Sequence, residues 1–261
     1  MVHLLLAVIY LSFISLGLPD ALLGSAWPSM YEAFGAPVSY MGVVSMLISA
    51  CTVISSLFSE RLIRRLGTGG VTALSVAVTA AALFGFSVSG SFAALCLWAI
   101  PYGLGAGCVD AALNHYVALH YASRHMSWLH CMWGVGASIG PYVMGLALSA
   151  GQGWPMGYRY VSLLQIGLTA LLVLSLRLWK GRPGQAEDGG GPSLPLGRAM
   201  AAAGVREMLL LSFGCCALEN TAGLWASSYL VLVRGLDARA AAGCASLFYL
   251  GLTGGRALSG F

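Results

Sequence analysis

The chain has 261 residues, 58% of them hydrophobic and 8% charged, with a net charge of +4. A soluble domain carries about 25% charged residues, so this composition excludes an ordinary water-soluble globule and predicts an all-α, polytopic membrane bundle. The charge is modest and no basic stripe with interleaved aromatics occurs, which argues against nucleic acid as a partner.

A membrane span needs about 20 apolar residues, and eight stretches qualify on inspection. The first runs from about Val2 to Tyr31 and is broken near Pro19. It lacks a basic leader and a small-residue cleavage site, so it reads as a span and not as a removed signal. The second covers about Val38–Phe58, the third Gly70–Val88, and the fourth Ser91–Tyr121 with Pro101 inside. The fifth covers Met126–Ala150 and the sixth Tyr158–Trp179. After a polar gap come the seventh, Glu207–Val233, and the eighth, from Ala240 to the end. Gly181–Gly197 is rich in glycine and proline and reads as a flexible linker. The expected organisation is thus a six-helix bundle over 1–180, a linker over 181–206 and two further helices over 207–261.

Basic residues orient the chain. Arg61, Arg64, Arg65, Arg124, Arg177, Lys180, Arg182, Arg198 and Arg206 fall on one set of alternate loops, and Arg159, Arg234 and Arg239 on the other. The positive-inside rule then places the N-terminus and the 181–206 linker in the cytoplasm of a cell-membrane protein.

Three acids, Asp20, Asp110 and Glu219, interrupt otherwise apolar spans. Intramembrane acids are costly and usually face a bundle interior or a polar path, so all three are expected to carry protons. Asp110 and Asn114 share a helix face four residues apart, behind Gly103, Gly105 and Gly107, which allow close helix approach. A carboxyl that alternates between wet and dry surroundings is a natural proton carrier; the alternative is a permanently neutral, hydrogen-bonded Asp110. Asp20 follows Pro19, which breaks the helix. It either forms a polar site at a discontinuous helix or caps the second half-helix.

In Ser127–Gly145, His130 offers an imidazole inside a span and Trp133 an aromatic face. Gly136 and Gly140 read as helix packing. Glu219, Asn220 and Thr221 cluster in one helix, with Trp225 beyond. Amides bind hydroxyls and aromatic faces stack on sugar rings, so Asn114, His130, Trp133, Asn220 and Trp225 are the candidate solute contacts. The alternatives are a packing histidine and an interfacial aromatic belt. In Ser59–Gly67, Glu60, Arg61, Arg64 and Arg65 read either as a conformational latch or as topology anchors. The seven cysteines lie in apolar segments without C-x-x-C spacing, so packing is expected and no metal, cofactor or redox site. No nucleophile–base pair is evident, and an enzyme is not expected.

An internal repeat is also present. Asp20 and Glu219 are each followed by a tryptophan (Trp27, Trp225), then by a helix opening G-x-x-S at Gly42–Ser45 and Gly243–Ser246. Two-fold repeats of this kind mark many transporters. Together with the six-helix half, the polar linker and the basic loop, this resembles the major facilitator superfamily. The loop is similar to its G-x-x-x-D-R-x-G-R-R motif in degraded form, with Glu60 near the Asp and Arg64–Arg65 near the basic pair. Asp110-Ala-Ala-Leu-Asn114 resembles the acid-x-x-x-Asn element in helix four of fucose permease-like proton symporters, with Asp in place of that group's Glu. The resemblance implies that Asp20 and Asp110 serve proton coupling and sugar binding. It also implies that His130 stands where the group has a sugar-contacting residue, typically Gln. The expected activity is therefore a proton-coupled secondary transporter of a sugar or similar polar solute. A drug or metabolite efflux carrier and a non-transporting sensor are the alternatives. Counted against a twelve-helix carrier, the chain stops after the eighth helix, so a fragment that does not transport alone is expected.

Overall fold

The computed structural model describes residues 2–179 and 196–258. The expected linker lies outside the described residues up to position 195. All regular structure among the described residues is helical: α1 (Val2–Asp20), α2 (Leu22–Phe34), α3 (Tyr40–Ser87), α4 (Phe92–His120), α5 (Ser123–Ser149), α6 (Trp154–Trp179), α7 (Leu196–Met200), α8 (Val205–Leu232) and α9 (Ala238–Leu258).

The first span is two helices that meet at Ala21. Pro19 has no N–H to give the carbonyl four residues back, and that carbonyl, on Ser15, accepts instead from the Gln165 side chain of α6 at 2.6 Å. At the far end, Gly35 adopts a left-handed conformation (φ 58°). Its N–H and that of Ala36 close onto Glu32 and Tyr31, a glycine C-cap that ends α2. The Trp27 indole then donates to the Val38 carbonyl at 2.9 Å and ties the turn into α3.

α3 has 48 residues, about 72 Å if straight and more than twice the hydrocarbon thickness. Gly67 (φ 70°, ψ 161°) kinks it, a conformation available chiefly to glycine. The two halves are the expected second and third spans, joined without a loop, so Glu60–Arg65 lie on helix. α4 packs between the halves. A Cβ on Gly103 or Gly107 would meet the backbone of Ile48 or Thr52, and one on Gly105 the Ser75 carbonyl and Thr79. Thr52 and Ser56 hydroxyls donate to the Gly103 and Gly107 carbonyls, both at 3.2 Å. α1 lies as tightly along α5, where Cβ atoms on Gly17, Gly136 and Gly140 would strike the carbonyls of Trp133, Ile14 and Leu18.

Six described helices are long and apolar enough to cross a membrane: Leu4–Phe34 (α1 with α2), α3, α4, α5, α6 and α8. The expected eighth span, α9, is helical but is not among them, because Arg239, Arg256 and four glycines dilute its apolar character. It is held instead by packing on α5, where Ser246 donates to the Ser138 carbonyl at 2.7 Å. Leu57, Leu174, Phe213 and Leu218 are exposed, as lipid-facing residues should be.

Candidate functional site: a charged cavity inside the bundle

A cavity of about 650 Å³ opens where α1–α2, α3, α4, α5, α6, α8 and α9 converge. Its wall carries three acids (Asp20, Asp110, Glu219), His130 and Arg256. It also carries hydroxyls and amides from Ser45, Ser49, Thr52, Tyr102 and Asn220, and the rings of Trp133, Tyr158 and Tyr249. A hydrocarbon setting tolerates such groups where they line a polar space within the bundle.

Asp20 reaches this space because the chain breaks just after it. The Tyr102 hydroxyl of α4 donates to Oδ1 at 2.7 Å, and the Trp133 indole of α5 donates to Oδ2 at 2.8 Å. The second half-helix begins at Ala21 without a side-chain cap, so Asp20 is not its cap; both oxygens serve the cavity.

Asp110 accepts from Asn114 Nδ2 at 3.0 Å, and the same amide also bonds the Asp110 carbonyl at 3.0 Å. Asn114 therefore holds Asp110 from within the helix and is not itself part of the cavity wall. His130 borders the cavity on α5, its ring edge-on to Phe13 at 5.7 Å.

Glu219 is held differently. Arg256 Nη2 donates to both its oxygens, at 3.0 and 2.8 Å, linking α9 to α8. The same guanidinium lies over the Trp133 ring, 4.9 Å from its centroid. Sequence reading passed over Arg256, although an arginine inside a span is the same signal as a lone acid. Tyr158 and Tyr249 were missed as well, and nothing in the sequence separates them from other aromatic residues.

Of the candidate solute contacts, His130, Trp133 and Asn220 line the cavity, whereas Trp225 packs on the core beside Gly42. The basic cluster is remote from this wall. Arg64 pairs with Glu60 at 2.8 Å within one helix, both highly exposed. Arg61 sits 5.6 Å from the Phe58 ring and, with Arg65, borders a separate groove of about 460 Å³ beside Leu104 and Cys108. No cluster of metal-ligating side chains occurs among the described residues.

No curated protein matches the chain significantly. Residues 9–261 match the Major Facilitator Superfamily, a family of membrane transporters rather than enzymes. With apolar spans packed around one polar cavity, the chain belongs to the major facilitator superfamily.

Proposed function

We propose that the carrier to which this sequence belongs is a proton-coupled secondary transporter for a sugar or similar small, neutral polar solute, working by alternating access. The observation that supports it most is the convergence of Asp20 and Asp110 on one cavity with hydroxyls, an amide and an indole. Charge separates the three acids. Arg256 compensates Glu219, while the donors to Asp20 and Asp110 among the described residues are neutral. Asp20 and Asp110 are the proton-carrying groups in this reading, and Glu219 belongs to a structural pair. His130 and Asn220 bind solute hydroxyls, in keeping with the resemblance to fucose permease-like symporters. The two uncompensated acids also suit a cationic solute, so efflux of an organic cation is the second reading; an organic anion is disfavoured by both.

Uptake by the intact carrier in proteoliposomes, with and without an inward proton gradient, decides between them across monosaccharides and organic cations. Gradient-driven accumulation of a monosaccharide supports the first reading. Cation movement against the proton flux supports the second, and indifference to the gradient contradicts both. The same reading puts the N-terminus and 181–206 in the cytoplasm of a cell-membrane protein. A cysteine placed at Gln152 should then be labelled from outside intact cells and one at Arg198 should not; the reverse pattern rejects this topology.

A further inference from the structure

The indole of Trp133 stands between opposite charges. Its N–H donates to Asp20 Oδ2 at 2.8 Å, its face carries the Arg256 guanidinium at 4.9 Å, and Tyr249 meets it edge-on at 6.0 Å. Arg256 in turn grips Glu219. One ring thus joins a carboxylate on α1 to an ion pair between α8 and α9. We propose that Trp133 is a positioning residue that transmits the protonation of Asp20 to the Arg256–Glu219 pair, and so couples the six-helix bundle to α8 and α9.

The argument is one of donors and acceptors. An indole can only donate, whereas a tyrosine hydroxyl can donate or accept. With Tyr102 and Trp133 both donating, one to each carboxylate oxygen, the arrangement suits ionised Asp20. A proton taken from cavity water onto Oδ2 leaves Trp133 a neutral hydroxyl oxygen, a weaker acceptor than the carboxylate. A proton taken onto Oδ1 reverses the Tyr102 hydroxyl and leaves Trp133 a neutral acceptor, which forms a weaker bond than a charged one. In both cases the ring is less firmly held beneath the guanidinium, and a negative charge leaves its far side. Cation–π attraction needs the ring face within about 6 Å of the cation, so a ring that shifts away loosens the tie between α5 and the Arg256–Glu219 pair. The charged or titratable groups facing Asp20 around the cavity are Tyr102 and Asp110 on α4, His130 on α5, Tyr158 on α6, Cys216 and Glu219 on α8, and Tyr249 and Arg256 on α9. The Trp133 side chain on α5 touches both Asp20 and Arg256.

The proposal rests on Asp20 being a proton-accepting group and on no particular solute, so its test uses none. Cys216 on α8 is exposed and borders the cavity. Its alkylation by a small maleimide, quantified by peptide mass spectrometry at one fixed pH, reads access to the α8 edge of the cavity. Asp20→Asn should raise the rate about fivefold, the low end of coupling between sites. Trp133→Phe, which keeps a ring under Arg256 but loses the donor, should raise it similarly. The double variant should show no further rise. If Trp133→Phe does not yield monodisperse protein, Arg256→Gln takes its place in the same cycle with the same non-additivity expected. Multiplying effects, or an Asp20→Asn rate equal to that of the parent, overturn the proposal. The Asp20 proton reading fails separately, if Asp20→Asn leaves the proton dependence of transport intact.

Discussion

The first span and α8 each bring one acid to the same cavity, and they do so in opposite ways. The first span is broken at Ala21 and about three-fifths of its apolar window is buried (61%), while α8 is continuous and 6% buried. Asp20 is held by two neutral donors from two other helices, whereas Glu219 is held by a guanidinium from one. The repeat in sequence therefore does not produce a repeat in electrostatics. The first copy carries Pro19 and is a discontinuous helix whose acid meets neutral donors, whereas the acid of the second is compensated by the arginine of α9.

The contrast in burial predicts the largest effect. Gly17→Leu drives a side chain into the Trp133 backbone and should destabilise the bundle by about 3 kcal/mol or more, the upper end for overpacking. Gly214→Ala inside α8 meets nothing within 4 Å and should cost nothing, with a gain of up to about 1 kcal/mol from helix propensity. Thermal unfolding in detergent, followed by fluorescence, compares them; equal shifts would erase the distinction between the two spans.

The contrast in charge comes next. Arg256→Gln leaves Glu219 facing the cavity unpaired. Since the side chains are 29% and 18% exposed, the cost should fall to about 1–3 kcal/mol, below the range for a fully buried pair. Arg64→Gln breaks a pair exposed by 64% and 63% and should cost about 0–1 kcal/mol. A loss at Arg64 as large as that at Arg256 would mean that the cavity pair has no special standing.

The smallest effect sharpens the account of the break itself. Gln165→Leu strands the Ser15 carbonyl that Pro19 leaves open and should cost about 1 kcal/mol. In a Pro19→Ala background the alanine N–H reaches the same carbonyl, so the cost should shrink towards zero. An unchanged penalty there would show that Gln165 stabilises the helix junction by some other route.

Much of this architecture was legible in the sequence because the bilayer simplifies the code. Apolar length gave the helices, and lone acids gave three of the charged groups on the cavity wall. Pro19 gave the break and Gly103–Gly107 the tight crossing. The second and third spans were placed correctly, but their connection was read as a loop; only the positive φ of Gly67 shows how one helix turns back. Asn114 was read as a solute contact from its shared face with Asp110, and that same spacing lets it bond back to its own helix instead. Trp225 was read from its place just beyond the Glu219–Thr221 cluster, which cannot say whether an aromatic ring meets a cavity or a core. The link from Asp20 through Trp133 to Arg256 spans more than 200 residues and follows no local period, so it emerges only from packing.

The measurement closest to the central claim is transport by Asp110→Asn in proteoliposomes, using the solute that the uptake panel identifies. The amide keeps the size and the hydrogen bond to Asn114 but cannot take up and release a proton. Counterflow exchange should survive, and accumulation against a gradient should vanish. Undiminished uphill uptake would contradict the assignment of Asp110 as a proton-carrying group.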